Sequence, residues 1–298
     1  MSCLHSQSIP RPNGLGVSDR LIVPCGKCLT CLKAKAREWS FRLSAELKVS
    51  SSAYFVTLTY SDENLPTNSL GIPELNKLDL TLFLKRLRQA NIRLYPSINV
   101  GVKVSEIKYA ENSIRYYLVG EYGTKTLRPH YHAIIFNLPV FDSNDSLEAQ
   151  MFIQKSWQHG NVHVGKVTPQ SINYVTGYII VKNLAPEGLE KPFALMSRRP
   201  GIGSHYLTTS SNQHQKTKTF FVTQPGGQKQ KMPRFYRDRI FSEEERAEYA
   251  ESIQEKMFDL HMNEIQEVSK KGMNYYSYFN QIQDEAKARI QTYQRKKL

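Results

Sequence analysis

Short runs of apolar residues recur along the first two thirds of the chain, and the period of each run predicts an element. Residues 54–60 (YFVTLTY) are β-branched and aromatic and lead into the turn-rich stretch 61–71, which predicts a strand. Leu80, Phe83, Leu84 and Leu87 then recur at i, i+3, i+4 and i+7, with Lys85, Arg86 and Arg88 off the stripe. That is helical spacing, and Asp79 is the expected N-cap. Residues 114–122 (IRYYLVGEY) and 130–136 (HYHAIIF) predict a hairpin closed through residues 123–129. A helix is expected over residues 147–158, stopping at Gly160, and Val162, Val164 and Val167 predict a further strand. Thr168 as N-cap and Pro169 at the first helical position open another helix running towards Lys182. Residues 98–107 are expected to supply an edge strand.

The resulting order, β-α-β-β-α-β, predicts an α+β fold. Its antiparallel sheet of about five strands has ferredoxin-like connectivity and carries helices on one face. Beyond Asn183 the pattern loosens into basic, Pro- and Gly-bearing sequence, including SRRPGIG (197–203) and KMPRFYRDR (231–239), read as loop and linker. From the cap Ser242 and the acidic run Glu243, Glu244 and Glu245, the chain is helix-prone to its end, with a bend near Gly272. The expected division is a Cys-containing N-terminal segment and basic helix (1–50), a core (51–184), and a basic linker with C-terminal helices (185–298).

Composition narrows the class. Hydrophobic residues make up 40% and charged residues 22% of the 298 positions, which suits a folded globular chain. Nowhere do 18 apolar residues run together, and residues 1–10 lack the apolar centre of a signal peptide, so a soluble, unexported protein with no membrane partner is expected. Lys plus Arg total 40 against 27 for Asp plus Glu, a net charge of +13. Such an excess attracts DNA or RNA through phosphate neutralisation, although it also serves solubility. Cys25, Cys28 and Cys31 form C-x-x-C-x-x-C, with Cys3 upstream as a candidate fourth ligand. A structural Zn²⁺ site, a plain helix start and an iron–sulfur cluster all fit that spacing, and a reducing cytoplasm is the natural compartment.

Two constellations carry candidate chemistry. On a strand, His130 and His132 point to the same face and can grip one metal ion, and Glu121 near the turn of the preceding arm can bring a carboxylate to them. By itself the H-x-H spacing also fits an ordinary histidine pair at a strand end. Tyr174 and Tyr178, at i and i+4, share one face of the predicted helix, a spacing that equally fits amphipathic packing.

The order of these parts resembles a known plan. PCGKCLTC (24–31), REW (37–39), FVTLTY (55–60), FLKRLR (83–88), GEYG with RPHYHAIIF, the tyrosine helix and MSRRPGIG (196–203) together resemble the HUH endonuclease superfamily. Within it, the resemblance is to the replication initiators of microvirus (gokushovirus-type) single-stranded DNA phages. It implies the HUH nuclease fold and rolling-circle replication initiation in the cytoplasm of a bacterial host. It also implies Mg²⁺ or Mn²⁺ at His130, His132 and Glu121, with Tyr174 and Tyr178 as nucleophiles. Attack on a phosphodiester would leave a 5′-phosphotyrosyl DNA and a free 3′-OH, and the phenol, with an ordinary pKa of about 10, needs the metal field or a cation such as Lys182 for activation. Related two-tyrosine initiators place a lysine three residues after the second tyrosine. Here Lys182 follows Tyr178 by four, a further turn of about 100° around the helix that its long side chain can span. The implied partners are a single-stranded DNA origin and a host helicase and polymerase.

Other signals carry less. GNVHVGKV (160–167) lacks the hydroxyl residue that a phosphate-binding loop has after its lysine, so no nucleotide cofactor is expected. His159 and His163 beside it read as surface and strand residues, and Lys33, Lys35, Arg37 and Arg42 as a solvated helix face. Arg128, Arg198, Arg199 and Arg234 are candidate DNA contacts, and Tyr206, Phe235 and Tyr236 candidate stacking platforms. Two other functions fit the same residues: a non-enzymatic, zinc-containing basic DNA-binding protein, and an HUH relaxase or transposase.

Overall fold

The structure, a computed structural model, describes residues 3, 6–10, 20–98, 113–123, 126–138, 146–181, 188–224 and 227–297. In chain order its elements begin with β1 (Gln7–Pro10), β2 (Arg20–Val23), α1 (Leu29–Leu47), β3 (Ala53–Thr59) and α2 (Lys77–Ile98). There follow β4 (Arg115–Tyr122), β5 (Pro129–Phe136), α3 (Ser146–Gln154), β6 (Val162–Lys166) and α4 (Pro169–Val181). The remainder are β7 (Phe193–Met196), α5 (His205–Thr217), β8 (Phe221–Thr223), β9 (Lys229–Lys231), α6 (Arg234–Ile240), α7 (Glu243–Lys270) and α8 (Tyr275–Lys297).

Two compact units divide the chain. One is Trp39–Thr208, and the other joins Met1–Glu38 to Thr209–Leu298. The first unit holds a five-stranded sheet in the order β6-β3-β5-β4-β7, every neighbouring pair antiparallel. The inner four strands have the ferredoxin-like order expected from the sequence. The fifth is β7, drawn from the stretch beyond Asn183 that was read as loop and linker, and it pairs with β4 from Tyr117↔Met196 to Gly120↔Phe193. Most of the proposed edge-strand stretch 98–107 lies outside the described residues, and Ile98 itself ends α2.

Helices cover both faces of this sheet rather than one. Tyr131, Ala133 and Ile135 of β5 pack with Leu80, Phe83, Leu84 and Leu87 of α2 and with Ala149 and Ile153 of α3. The alternate residues Ile134 and Phe136 pack with Leu43 of α1 and with Ile172, Val175 and Tyr178 of α4. The reason is legible in β5 itself. HYHAIIF has hardly a polar position on either face, and a strand apolar on both faces must be covered on both. The second face, under α1 and α4, carries the histidines.

Local chemistry sets the helix starts. Asn76, not Asp79, caps α2: its side-chain oxygen accepts from Leu78 N at 2.9 Å and Asp79 N at 3.4 Å. Asp79 sits in the first turn and accepts from the Tyr60 hydroxyl at 2.8 Å. At α4 the Thr168 hydroxyl accepts from Ser171 N at 3.2 Å and Pro169 begins the helix, as expected. Helix α3 ends at Gln154 rather than continuing to 158. The Gln154 amide turns back to donate to the carbonyls of Trp157 and Gly160 and accepts from Val162 N.

In the second unit, Phe220 stacks between Phe241 and Tyr249 at 3.9 Å from each, and Met232, Tyr236 and Ile240 are buried. KMPRFYRDR is therefore strand end and helix, not linker, and the sealed Tyr236 offers no ring face for a base. A capping box between Ser242 and Glu245 opens α7, and Gly272, at φ +70°, lies in the break before α8. Among the described residues no helix is long and apolar enough to cross a membrane.

Candidate active site

Strand register assembles the site. Glu121 on β4 lies directly opposite His130 on β5, and His132, two residues along on the same face, lies opposite Val119 on one side and Thr57 of β3 on the other. The hairpin is closed by Gly123 N–H to the Arg128 carbonyl at 2.9 Å. One carboxylate oxygen, Glu121 Oε1, then lies 2.7 Å from His130 Nε2 and 2.9 Å from His132 Nε2.

The far side of each ring is also held. His130 Nδ1 donates to the Arg128 carbonyl at 3.2 Å, and His132 Nδ1 lies 3.0 Å from the Thr57 hydroxyl. A carbonyl and a carboxylate only accept, so His130 can satisfy both partners only as an imidazolium, or with a cation in place of its Nε2 proton. Burial works against charge on His130, yet the Glu121 hydrogen bond and charge, with the Arg128 carbonyl, raise its pKa above the ordinary imidazole value. Burial likewise raises the Glu121 carboxyl, but the hydrogen bonds and charge of the two imidazoles outweigh it and hold the group below the usual carboxylate value.

The three residues fit a divalent ion. Their ligand atoms all lie within 4.8 Å of one another. The 2.7 and 2.9 Å separations approach the ~3.0 Å edge of an octahedron with bonds of ~2.1 Å, the length Mg²⁺ takes. Anchored Nδ1 atoms that aim Nε2 inward are the outer support that metal-ligating histidines carry.

Helix α4 lays both tyrosines against this centre. The Tyr178 ring stacks on His132 with centroids 5.5 Å apart, Tyr174 meets His132 edge-on at 5.2 Å, and the two phenol rings are 5.0 Å apart. They differ in access: Tyr174 is 39% exposed and Tyr178 5%. Burial raises the Tyr174 phenol, against a lowering hydrogen bond with Tyr178, and the Glu121 charge adds to the rise. Phe55 completes the wall, stacked on His132 at 5.6 Å and edge-on to Tyr174 at 6.0 Å. Helix α4 is tied to α1 by the Ser40 hydroxyl, 2.9 Å from Thr176 Oγ1 and 3.0 Å from Asn173 Oδ1.

Glu121, His130, His132, Tyr174 and Tyr178 are thus brought together, whereas Lys182 lies outside the described residues. Thr57, Phe55 and the Arg128 carbonyl join the site without having been singled out from sequence. Only the mid-strand polar Thr57, on the face of Phe55, gave a signal. The Arg128 guanidinium is engaged by Asp62 at 2.6 Å and the Tyr60 carbonyl at 3.0 Å. Arg198 and Arg199 are exposed, and Arg234 is exposed beside Asp238 at 3.0 Å. Tyr206 is half-buried, edge-on to Phe41. Lys33, Lys35 and Arg37 are exposed as expected, but Arg42 lies over the Trp39 ring and donates to the Ile202 carbonyl.

Comparison with known proteins agrees with this arrangement. Residues 53–183 match the family model for replication-associated proteins of the ORF2 type. Replication-associated protein ORF2 of Spiroplasma virus 4 is 32% identical over 257 residues, spanning 78% of this chain and 72% of that protein. Replication-associated protein VP4 of Bdellovibrio phage phiMH2K is 32% identical, spanning 72% of this chain and 66% of its own length. The corresponding ORF4 protein of Chlamydia phage 1 is 25% identical over 73% of this chain and 53% of its own length. Among solved structures, the N-terminal nuclease domain of minute virus of mice non-structural protein-1 is similar at 11% identity and a TM-score of 0.20, covering 60% of this chain and 83% of that one. Given identity of 32% across 72% of the Spiroplasma virus protein, this chain belongs to the family of phage replication-associated proteins.

Proposed function

We propose that this replication-associated protein is a metal-dependent HUH endonuclease and DNA strand transferase that opens the phage origin by tyrosine attack. The observation that carries the reading is the convergence of two imidazole Nε2 atoms and one carboxylate oxygen beside a pair of tyrosine rings. A divalent cation, Mg²⁺ or Mn²⁺, held by Glu121, His130 and His132 would supply Lewis-acid polarisation of the scissile phosphate.

The chain's own residues account for the rest. Tyr174, the accessible phenol, attacks phosphorus: the Oη–P bond forms, the P–O3′ bond breaks, and the phenolic proton leaves to solvent while the O3′ atom takes one up. The products are a 5′-phosphotyrosyl DNA and a 3′-OH able to prime a polymerase. Because the ester keeps its bond energy, a later 3′-OH can reverse the step and close a circle without ATP. Tyr178, behind Tyr174 on the same helix face, is the second nucleophile for the regenerated origin. Its ring holds His132 in plane meanwhile. Lys182, four residues further on, is assigned the phosphate beside the tyrosines, and Arg128, Arg198, Arg199 and Arg234 the flanking strand.

The test incubates the full chain with end-labelled single-stranded fragments tiled across the cognate phage genome, in Mn²⁺ or EDTA, and resolves the products on denaturing protein gels. The expected result is a Mn²⁺-dependent covalent band carrying the 3′ fragment. It should disappear in the Tyr174→Phe/Tyr178→Phe double variant and in His132→Ala. Tight DNA binding with no adduct on any fragment would overturn the enzymatic reading in favour of a non-enzymatic DNA-binding protein.

A further inference from the structure

All four cysteines of the chain end in one place. Three are neighbours in sequence, but Cys3 is separated from Cys25 by the whole β1–β2 ribbon, and its sulfur still lies within 4.8 Å of the other three. Cys3 Sγ is 3.8 Å from Cys28 Sγ. That is nearly twice a disulfide bond of ~2.05 Å, and it equals the ~3.8 Å edge of a tetrahedron whose metal–sulfur bonds are ~2.3 Å.

The backbone is arranged for thiolates. Cys25 N donates to Cys3 Sγ at 3.2 Å, and Lys27 N and Cys28 N donate to Cys25 Sγ at 3.4 and 3.3 Å. The last two come from a tight turn that Gly26 makes with φ +72°, a conformation that favours glycine. Cys28 and Cys31 then enter the first turn of α1.

We propose that Cys3, Cys25, Cys28 and Cys31 bind one Zn²⁺ as a tetrahedral tetrathiolate, a structural site sharing no residue with the Glu121–His130–His132 centre. Its role follows from where it sits. Ribbon β1–β2 is a two-stranded sheet whose first strand is exposed along its whole length, and such a ribbon alone is marginal in water. A zinc ion held by the residues just outside both ends of the ribbon joins them to each other and to the start of α1. This inference is independent of the nuclease reading.

The experiment takes the full chain, dialyses it against EDTA to remove weakly held ions, and measures zinc, iron and acid-labile sulfide. One zinc per chain is expected, retained in His132→Ala and lost in Cys28→Ser, with Cys3→Ser weakening retention at least tenfold. Reloading wild type with Co²⁺ should give the thiolate charge-transfer and d–d absorption of tetrahedral cobalt–sulfur coordination, a readout that does not depend on how the variants fold. Iron with sulfide, a metal-free protein without titratable thiols, octahedral cobalt, or zinc retained in a Cys3→Ser/Cys28→Ser double variant would each overturn the proposal.

Discussion

Thr57 and the Arg128 carbonyl decide which nitrogen of each imidazole faces Glu121, so they govern the site without entering it. Replacing Thr57 with Val keeps the shape and removes the hydroxyl. Mn²⁺ affinity, read from the metal dependence of adduct formation, should fall about 10–100-fold with folding unchanged. The charged pair also gives a pH signature in EDTA. The depressed Glu121 stabilises the fold above its unfolded carboxyl value, and this is lost as pH falls through the lower folded value. The raised His130 contributes fully below its unfolded imidazole value, and this is lost as pH rises through the higher folded value. Melting temperature without metal should therefore be highest between the ordinary carboxylate and imidazole values. Added Mn²⁺, which needs unprotonated imidazoles, should stabilise most on the alkaline side. A metal increment that does not change with pH would contradict this. The unequal exposure of the tyrosines makes a third prediction: Tyr174→Phe removes the first cleavage of a linear oligonucleotide, whereas Tyr178→Phe spares it and blocks strand joining.

At the scale of elements, the second face of the sheet is clasped by one buried ion pair. Glu46 of α1 pairs with Arg115 at the start of β4, and the Arg115 guanidinium donates to the carbonyls of Pro200 and Gly201 while Glu46 Oε2 accepts from Gly203 N at 2.6 Å. The PGIG turn is thereby folded around a charge pair, and Ile202 plugs the core beside Leu43 and Tyr117. Arg115→Met should cost about 3–5 kcal/mol in urea denaturation, because it strands a buried carboxylate, and a loss under about 1 kcal/mol would contradict the clasp. Sequence revealed the elements with strong periods, FVTLT, RPHYHAIIF and the Leu80–Leu87 stripe, and it paired Tyr174 with Tyr178. Strand β7 escaped because FALM is too short to display alternation. Helix α5, HYLTTSSNQHQKT, escaped because none of its residues is buried and no apolar stripe exists to read. The start of α2 was misplaced because Asn76 and Asp79 are both good caps three residues apart, and only the Tyr60 hydroxyl takes Asp79 out of the competition. Register was likewise beyond reach: that Thr57 faces His132 depends on how β3 slides against β5, which no local pattern encodes.

For the molecule as a whole, the charge of +13 sets how it meets DNA. If six phosphates are neutralised, the logarithm of affinity for single strands should fall with that of salt at a slope of about −4, since each contact contributes about −0.7. A slope near zero in a fluorescence-anisotropy titration would remove the phosphate footprint. The division into units has a consequence in time. Trp39–Thr208, which holds the sheet, histidines and tyrosines, is one continuous stretch, whereas the other unit needs both Met1–Glu38 and everything after Thr208. At roughly 5–20 residues per second, a ribosome that has just emitted Thr208 has on the order of ten seconds of synthesis left. During that interval the sheet can close and the three metal ligands can meet while the leading segment still waits for its counterpart, so the nascent chain gains its reactive centre before the rest of its architecture exists.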